Sequence, residues 1–264
     1  MKPGGGRWLR IATIGVLAFL YVPLLFILLY AFDTDKTQAW PIQGLTLNWF
    51  GAAADNQDVR DALVLSLQVG LASTTIALLL GTLASFAVHR YSFFGRGTIS
   101  FLLVLPIALP GIVTGMALNA TINASGIGFN TFTIVVGHAT FCIVVVFNNV
   151  IARLRRTSRS IEEASMDLGA DTLQTFRYIT FPVIRTALIA GGLLAFALSF
   201  DEVIVTTFTA GTQKTVPLWI LGEILRAHQL PVVNVVAVFL ILLSTIPVYL
   251  AQRLSSDTTG VAGR

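Results

Sequence analysis

The chain has 264 residues, of which 55% are hydrophobic and 11% charged, with a formal net charge of +4. Soluble domains carry about 25% charged residues, so this composition excludes an ordinary water-facing domain. Apolar runs approaching the ~20 residues that a bilayer-crossing helix needs recur along the chain, and alternating strand patterns are absent, so the expected fold class is an all-α integral membrane protein rather than a barrel.

The first ten residues, MKPGGGRWLR, read as a short basic tail, and residues 11–32 as a first apolar run containing Pro23. Basic residues before an apolar run also suit a signal peptide. The run is long and no small-x-small cleavage site follows it, so a retained first helix is expected. Residues 33–61 form an acidic loop with Asp33, Asp35, Asp55, Asp58 and Asp61. Its Trp40 and Trp49 suit the membrane interface.

A second span is expected over about 62–88, ending at His89-Arg90, and a third over about 98–121. The third contains LPIALPG, in which Pro106 and Pro110 remove two helical hydrogen bonds and bend or break the helix. A fourth span covers about 131–152, and Arg153, Arg155, Arg156 and Arg159 follow it. Residues 153–182 are a polar loop. A fifth span covers about 183–208, including Asp201 and Glu202. Residues 209–230 read as a polar loop with some short helix, and a sixth span covers about 231–252 before a polar tail, 253–264.

Six spans place the N-terminal tail, the 89–97 turn, the 153–182 loop and the C-terminal tail on one side. That side then holds every Lys and Arg except Lys36, Arg60, Lys214 and Arg226. The positive-inside rule makes it the cytoplasm, with both termini inside. The basic balance therefore reports orientation and not nucleic-acid binding.

Within the polar loop, Ser160 stands three residues before Glu163, the spacing of a capping box. Glu162 and Glu163 suit the positive end of a short helix. Gly169 suits its left-handed end, and Pro182 the first turn of the next helix. The series Glu163-Ala164-Ser165, Gly169, Ile179 and Pro182 resembles the signature loop of ABC importer permeases, E-A-A-x-x-x-G followed by I-x-L-P. Ser165 replaces the second Ala and Phe181 the Leu. The resemblance implies a cytoplasmic coupling helix between spans four and five that docks on an ATPase. Glu163, Ala164, Ser165, Asp167, Gly169 and Pro182 are the residues it assigns to coupling.

Asp201 and Glu202 are the second feature. A carboxylate within a membrane costs a few kcal/mol and by default marks a pathway, so both are candidates for a cation route. An interfacial carboxylate that snorkels outward or pairs with an Arg is the alternative. His138, Asn148 and Asn149 in span four are expected to bridge helices. Gly111 and Gly115 form a G-x-x-x-G that reads as helix packing. Cys142 lies in an apolar run and reads as a small core residue; a single cysteine excludes an internal disulfide. No phosphate-cradling G-x-x-x-x-G-K-[ST], H-E-x-x-H or G-x-S-x-G occurs, so no ATPase or peptidase chemistry is assigned to the chain.

Beyond the loop, LLVLPIALPGIVTGMAL, TIVVGHATFCIVVVFNNVIARLRR and LAFALSFDEVIVTTFTAG resemble the PotC-type permeases of spermidine/putrescine systems, and most closely the YdcV-type polyamine permeases. This implies the type I ABC importer permease fold with a six-span domain over 11–252. It implies a homologous second permease chain, an ATPase dimer that carries ATP and Mg, and an extracytoplasmic substrate-binding protein. No cofactor is expected in this chain, and the location implied is a bacterial cytoplasmic membrane. Permeases for sulfate, iron and thiamine share the fold. A gradient-driven carrier using Asp201, Glu202 and His138 as a proton relay is a different class, against which the coupling loop argues. Ser199, His138 and Asp201 are the only imaginable enzyme constellation, and their spacing does not support one.

Overall fold

The structure is a computed structural model that describes residues 5–226 and 228–256. The expected tails at 1–10 and 253–264 lie partly outside the described residues. In chain order the helices are α1 (Gly5–Tyr30), α2 (Asn48–Asp55), α3 (Gln57–Arg90), α4 (Arg96–Ala108), α5 (Gly111–Ser125) and α6 (Thr131–Arg155). They continue as α7 (Arg159–Asp167), α8 (Thr172–Thr175), a π-helical turn (Phe176–Thr180), α9 (Phe181–Phe200), α10 (Ile204–Thr209), α11 (Val216–Leu225) and α12 (Leu230–Ser256). Among the described residues there is no strand, only an isolated antiparallel bridge between Asp33 and Leu45.

Five helical stretches are long and apolar enough to cross a membrane, and a bent pair brings the count to six if it is one crossing. That pair covers the expected third span and shows the break its prolines predict: it is two helices, α4 and α5, turned by 104°. The two prolines act differently. Pro106 stays inside α4, whereas Pro110 holds φ −55° and ψ 131° at the start of α5. The residue before a proline is pushed out of the helical region, and Leu109 is extended at φ −81° and ψ 146°. The break therefore falls at Leu109-Pro110.

The chain divides into two compact units. The first comprises residues 1–61 and 219–242. In it the Trp49 indole donates to Asp33 O at 2.7 Å, and Asn56 Nδ2 donates to Gln229 Oε1 at 3.0 Å. Buried Glu223 pairs with His228 at 2.9 Å. The short helix expected within the 209–230 loop is α11, which is apolar and has Trp219 buried.

The second unit comprises residues 62–218 and 243–264 and is organised around α6. Two thirds (67%) of the apolar window of α6 is buried, which makes it the core helix. It packs along α9 and against α4, α5 and α10. Phe141, Cys142, Val146, Val150 and Leu154 of α6 join Ala77, Ile184, Ala195 and Val205 in the main core. Cys142 is buried as expected, with its Sγ 3.3 Å from Ala195 O. Gly111 faces Ile204, and a Cβ at Gly115 would stand 2.5 Å from Phe208. The G-x-x-x-G is thus a packing face against α10.

Candidate functional site

The polar insert folds as short helical pieces jointed at Gly169. Ser158 caps α7 by accepting from Ser160 N–H at 3.3 Å. The expected cap at Ser160, with its box to Glu163, is not formed. Ser158 is extended at φ −70° and ψ 132°, so the helix starts earlier than predicted. Glu163 instead meets Arg159 at 3.2 Å, one helical turn back. Both side chains are well exposed, and such a pair contributes about 0–1 kcal/mol.

The predicted end of α7 is found. Gly169 has φ +91°. Its N–H donates to Met166 O at 2.9 Å, and Ala170 N–H donates to Ser165 O at 3.1 Å. These are the paired bonds of a Schellman end, which needs a left-handed residue at this place. Asp171 then caps α8. Its Oδ1 accepts from Gln174 N–H at 2.7 Å, and Gln174 Oε1 accepts from Asp171 N–H at 3.0 Å.

Pro182 falls in the first turn of α9, as expected, but the chain enters α9 from the π-turn without a break, so that Thr172–Phe200 is one helical stretch. A proline inside an α-helix removes a hydrogen bond and clashes with the preceding turn. Here the turn before it is wider: Phe181 N–H reaches Phe176 O across the π-turn. Such turns re-satisfy backbone groups freed around a proline in membrane helices and occur often at functional sites.

The structure separates the two adjacent glutamates. Glu163, Ala164, Asp167 and Gly169 are exposed, as is Pro182, while Ser165 is half-buried with its Oγ 3.2 Å from Thr175 Oγ1. No residue of α7 is buried, and Ile161, Met166 and Leu168 are exposed, Leu168 to 91%. Glu162 alone of the two carboxylates turns inward. Its Oε1 accepts from Arg90 Nη2 at 2.5 Å and from the Thr180 hydroxyl at 2.6 Å. Arg90 also donates to Thr180 Oγ1 at 3.3 Å and stacks over Phe86 at 5.1 Å. His89, Arg159 and Ile179 line the small cavity beside this cluster. Sequence reasoning missed it: Arg90 counted only as a topogenic charge, although Thr180 sits inside the signature between Ile179 and Phe181.

The fifth span ends earlier than predicted. Asp201 is the residue that closes α9, and α10 is a separate short helix. Glu202 accounts for the break, because its Oε1 accepts from Val205 N–H at 2.9 Å. A side chain that satisfies a nearby N–H gives the backbone an alternative to continuing the helix. Asp201 is exposed, and among the described residues its carboxylate has no hydrogen-bond or ionic partner.

Beside the break between α9 and α10 lies a buried polar network. His138 Nδ1 is 2.8 Å from Ser199 Oγ and its Nε2 is 2.8 Å from Thr206 Oγ1. Ser199 Oγ is also 2.9 Å from Ser73 Oγ. The expected bridging role of His138 is met, joining α6 to α9 and α10. Ser199 and His138 do come together, but the second ring nitrogen is held by Thr206 and not by Asp201. The group is closed to solvent and lacks the carboxylate that would orient the imidazole of a nucleophilic triad.

Residues 75–259 match the family described as the binding-protein-dependent transport system inner membrane component. The chain belongs to this family. It is therefore a multi-pass membrane component of a transport system and not an enzyme. Curated relatives agree in length as well as sequence. The chain is 34% identical over 232 residues to the putrescine transport system permease protein PotI of Escherichia coli (strain K12), covering 84% of this chain and 82% of that protein. It is 31% identical over 257 residues to the spermidine/putrescine transport system permease protein PotC of the same organism, covering 96% of each. The Haemophilus influenzae PotC is 30% identical over 242 residues, covering 91% of this chain and 93% of that protein.

Solved structures extend the likeness to the fold alone. A chain of a bacterial ABC transporter involved in the import of the acidic polysaccharide alginate matches with TM-score 0.70 at 16% identity, covering 97% of this chain and 98% of that one. An amino acid ABC transporter with histidines matches with TM-score 0.61 at 13% identity, covering 81% and 100%. The fold is thus helical among the described residues, with α6 as the core helix of the second unit.

Proposed function

We propose that this chain is a permease subunit of an ATP-driven ABC importer for polyamines, moving putrescine or spermidine inward by alternating access. The observation that carries the substrate class is identity of 30% or more to polyamine permeases over most of the chain. The partners are a homologous second permease chain, an ATPase dimer that binds ATP and Mg, and an extracytoplasmic substrate-binding protein. Residues 11–252 form the transmembrane domain. The tails 1–10 and 253–264 and the loop 153–182 face the cytoplasm, an orientation supported by the Arg cluster after α6.

In this reading α7 is the coupling helix. Its exposed residues, Glu163, Ala164, Asp167 and the Gly169 turn, meet the ATPase, while Ser165 holds α7 to α8 through Thr175 and Pro182 lies in the first turn of α9. The fully exposed face with Leu168 at its end supports docking, since an apolar side chain left in water favours a partner. Asp201 and Glu202 border the cation route. Asp201 has its carboxylate available, whereas Glu202 is occupied with capping α10.

The test is uptake of radiolabelled putrescine and spermidine into proteoliposomes holding the assembled complex, with ATP inside and binding protein outside. ATP-dependent uptake, lost in Glu163→Arg with the complex still formed, is the expected result. Uptake without ATP favours a gradient-driven carrier. ATPase activity stimulated only by a binding protein loaded with sulfate, iron or thiamine keeps the permease role and overturns the substrate.

A further inference from the structure

We infer that Arg90, Glu162 and Thr180 form a latch that makes α7 move as one body with the end of α3 and the start of α9. The inference rests on the reading of α7 as the coupling helix. Arg90 and Thr180 are assigned as positioning residues: they act on the partner only through Glu162.

The attachment of α7 explains why. It has no buried residue and presents its apolar side chains outward. A helix with so little buried surface gains little from packing, so its side-chain bonds weigh more in fixing its place. Two residues supply them. Ser165 reaches Thr175, which belongs to the same polar insert. Glu162 is the one that reaches out of it. Its Oε1 gathers Arg90 from the last turn of α3 and Thr180 from the π-turn.

The electrostatics suit a firm link. The Arg90 and Glu162 side chains are only 27% and 16% exposed, against 71% and 55% for Arg159 and Glu163. A shielded, charge-assisted bond is stronger and less screened by salt than an exposed one. Arg90 is itself held against Phe86, and Phe86 packs edge-on to Phe176 of the π-turn. The guanidinium is therefore pre-placed, and little freedom is lost in binding Glu162. Arg90 closes a helix that runs without interruption from Gln57, so a displacement of α7 reaches the length of α3. Thr180 stands directly before α9, so the same displacement reaches the helix that ends at Asp201.

The experiment uses the whole complex with its partner permease and ATPases in lipid nanodiscs. Spin labels are placed at Tyr91→Cys and Met166→Cys in a Cys142→Ser background. The separation is measured without nucleotide and after vanadate trapping. With Arg90 present the separation stays within about 2 Å, the size of an ordinary helix shift. In Arg90→Gln it changes by more than this on trapping, and binding-protein-stimulated ATP hydrolysis falls about tenfold, within the usual span of a coupling free energy. The double reversal Arg90→Glu with Glu162→Arg restores the fixed separation, which a merely structural defect would not allow.

Should Arg90→Gln not reach the membrane, Thr180→Val removes only the hydroxyl arm and is expected to broaden the separation. An unchanged separation in Arg90→Gln, or in Thr180→Val where that variant stands in, overturns the latch. So does a wild-type separation that changes on trapping. Ala164→Trp, on the exposed face, separates the two readings. If it abolishes ATPase association while Arg90→Gln keeps the separation fixed, only the latch fails. If it leaves the ATPase bound, the docking reading fails and the latch loses its role.

Discussion

His138 on α6 and Ser199 on α9 share a 2.8 Å contact between Nδ1 and Oγ, with both side chains buried. Because Thr206 takes the other ring nitrogen, one imidazole ties α6 to the two halves of the broken fifth span. This makes His138 a structural bridge. Hydrogen bonds between membrane helices are worth about 0.6 kcal/mol on average and at most about 1.7. Replacing His138 with Ala removes two of them and leaves a void, so a loss of about 2–4 kcal/mol is expected. The measurement is reversible unfolding in mixed micelles, paired with uptake by the protein that remains folded. Per folded molecule, uptake should stay within about twofold of wild type, far from the 10²–10⁴-fold that loss of an acid–base group costs. A collapse of uptake without loss of stability would make His138 a proton carrier instead.

Gly169 carries the second prediction. Its φ of +91° is closed to side chains at low cost, yet a Cβ there would meet nothing within 4 Å. The effect of substitution is therefore one of backbone alone. Gly169→Val should cost about 1–2 kcal/mol locally and turn α7 away from its present angle. Gly169→Asn should be better tolerated, because Asn accepts the left-handed region. Co-purification of the ATPase checks this, with the order wild type, Asn, Val. Equal recovery in all three would remove the turn from any role in assembly.

Much of this arrangement could be read from residues, and the failures share a cause. The apolar runs located the long helices because a membrane helix must be apolar along its length. The end of α7 was visible because a left-handed turn narrows the choice to Gly. Ser158 and Ser160 were harder: both are good caps, and which one acts depends on where the chain leaves α6. The π-turn before Pro182 was hidden, because it is set by the hydrogen-bond ladder and leaves no residue pattern. Arg90, Glu162 and Thr180 come together only in space. Each looked ordinary in its own segment, as a flanking charge, a helix-start acid and an unassigned position of a motif.

Gly81 tests the packing of the core. A Cβ there would lie 2.9 Å from Ile143 O and 3.0 Å from Val146 Cβ, both on α6. The neighbouring Ser85 donates to Gly81 O at 2.7 Å and to Phe147 O at 3.1 Å, which fixes α3 against that helix. Backbone cannot move aside as a flexible side chain would. Gly81→Val should therefore force α3 and α6 apart, at a cost of about 1–3 kcal/mol typical of overpacking. Ser85→Ala should cost less, because its interhelical bond is one of two. Thermal unfolding of the solubilised complex would rank them, and a harmless Gly81→Val would mean the helices sit further apart.

Asp201 and Glu202 make the sharpest contrast, because adjacent carboxylates have different work. Glu202 accepts the Val205 N–H, and a Gln carbonyl at the same place accepts it too. Glu202→Gln should then leave α10 in place and change uptake little. Glu202→Ala removes the cap and should cost about 1 kcal/mol of stability. Asp201 is exposed at the end of α9, and only its charge is available to a passing cation. Asp201→Asn keeps size and polarity but discards that charge. If the carboxylate borders the route, polyamine uptake should fall about tenfold, equivalent to ~1.4 kcal/mol, with the complex and its basal ATPase intact. The loss should shrink as salt rises, because exposed charges are screened over ~10 Å at 0.1 M. Uptake by Asp201→Asn equal to wild type at low salt would move the cation route away from this break in the fifth span.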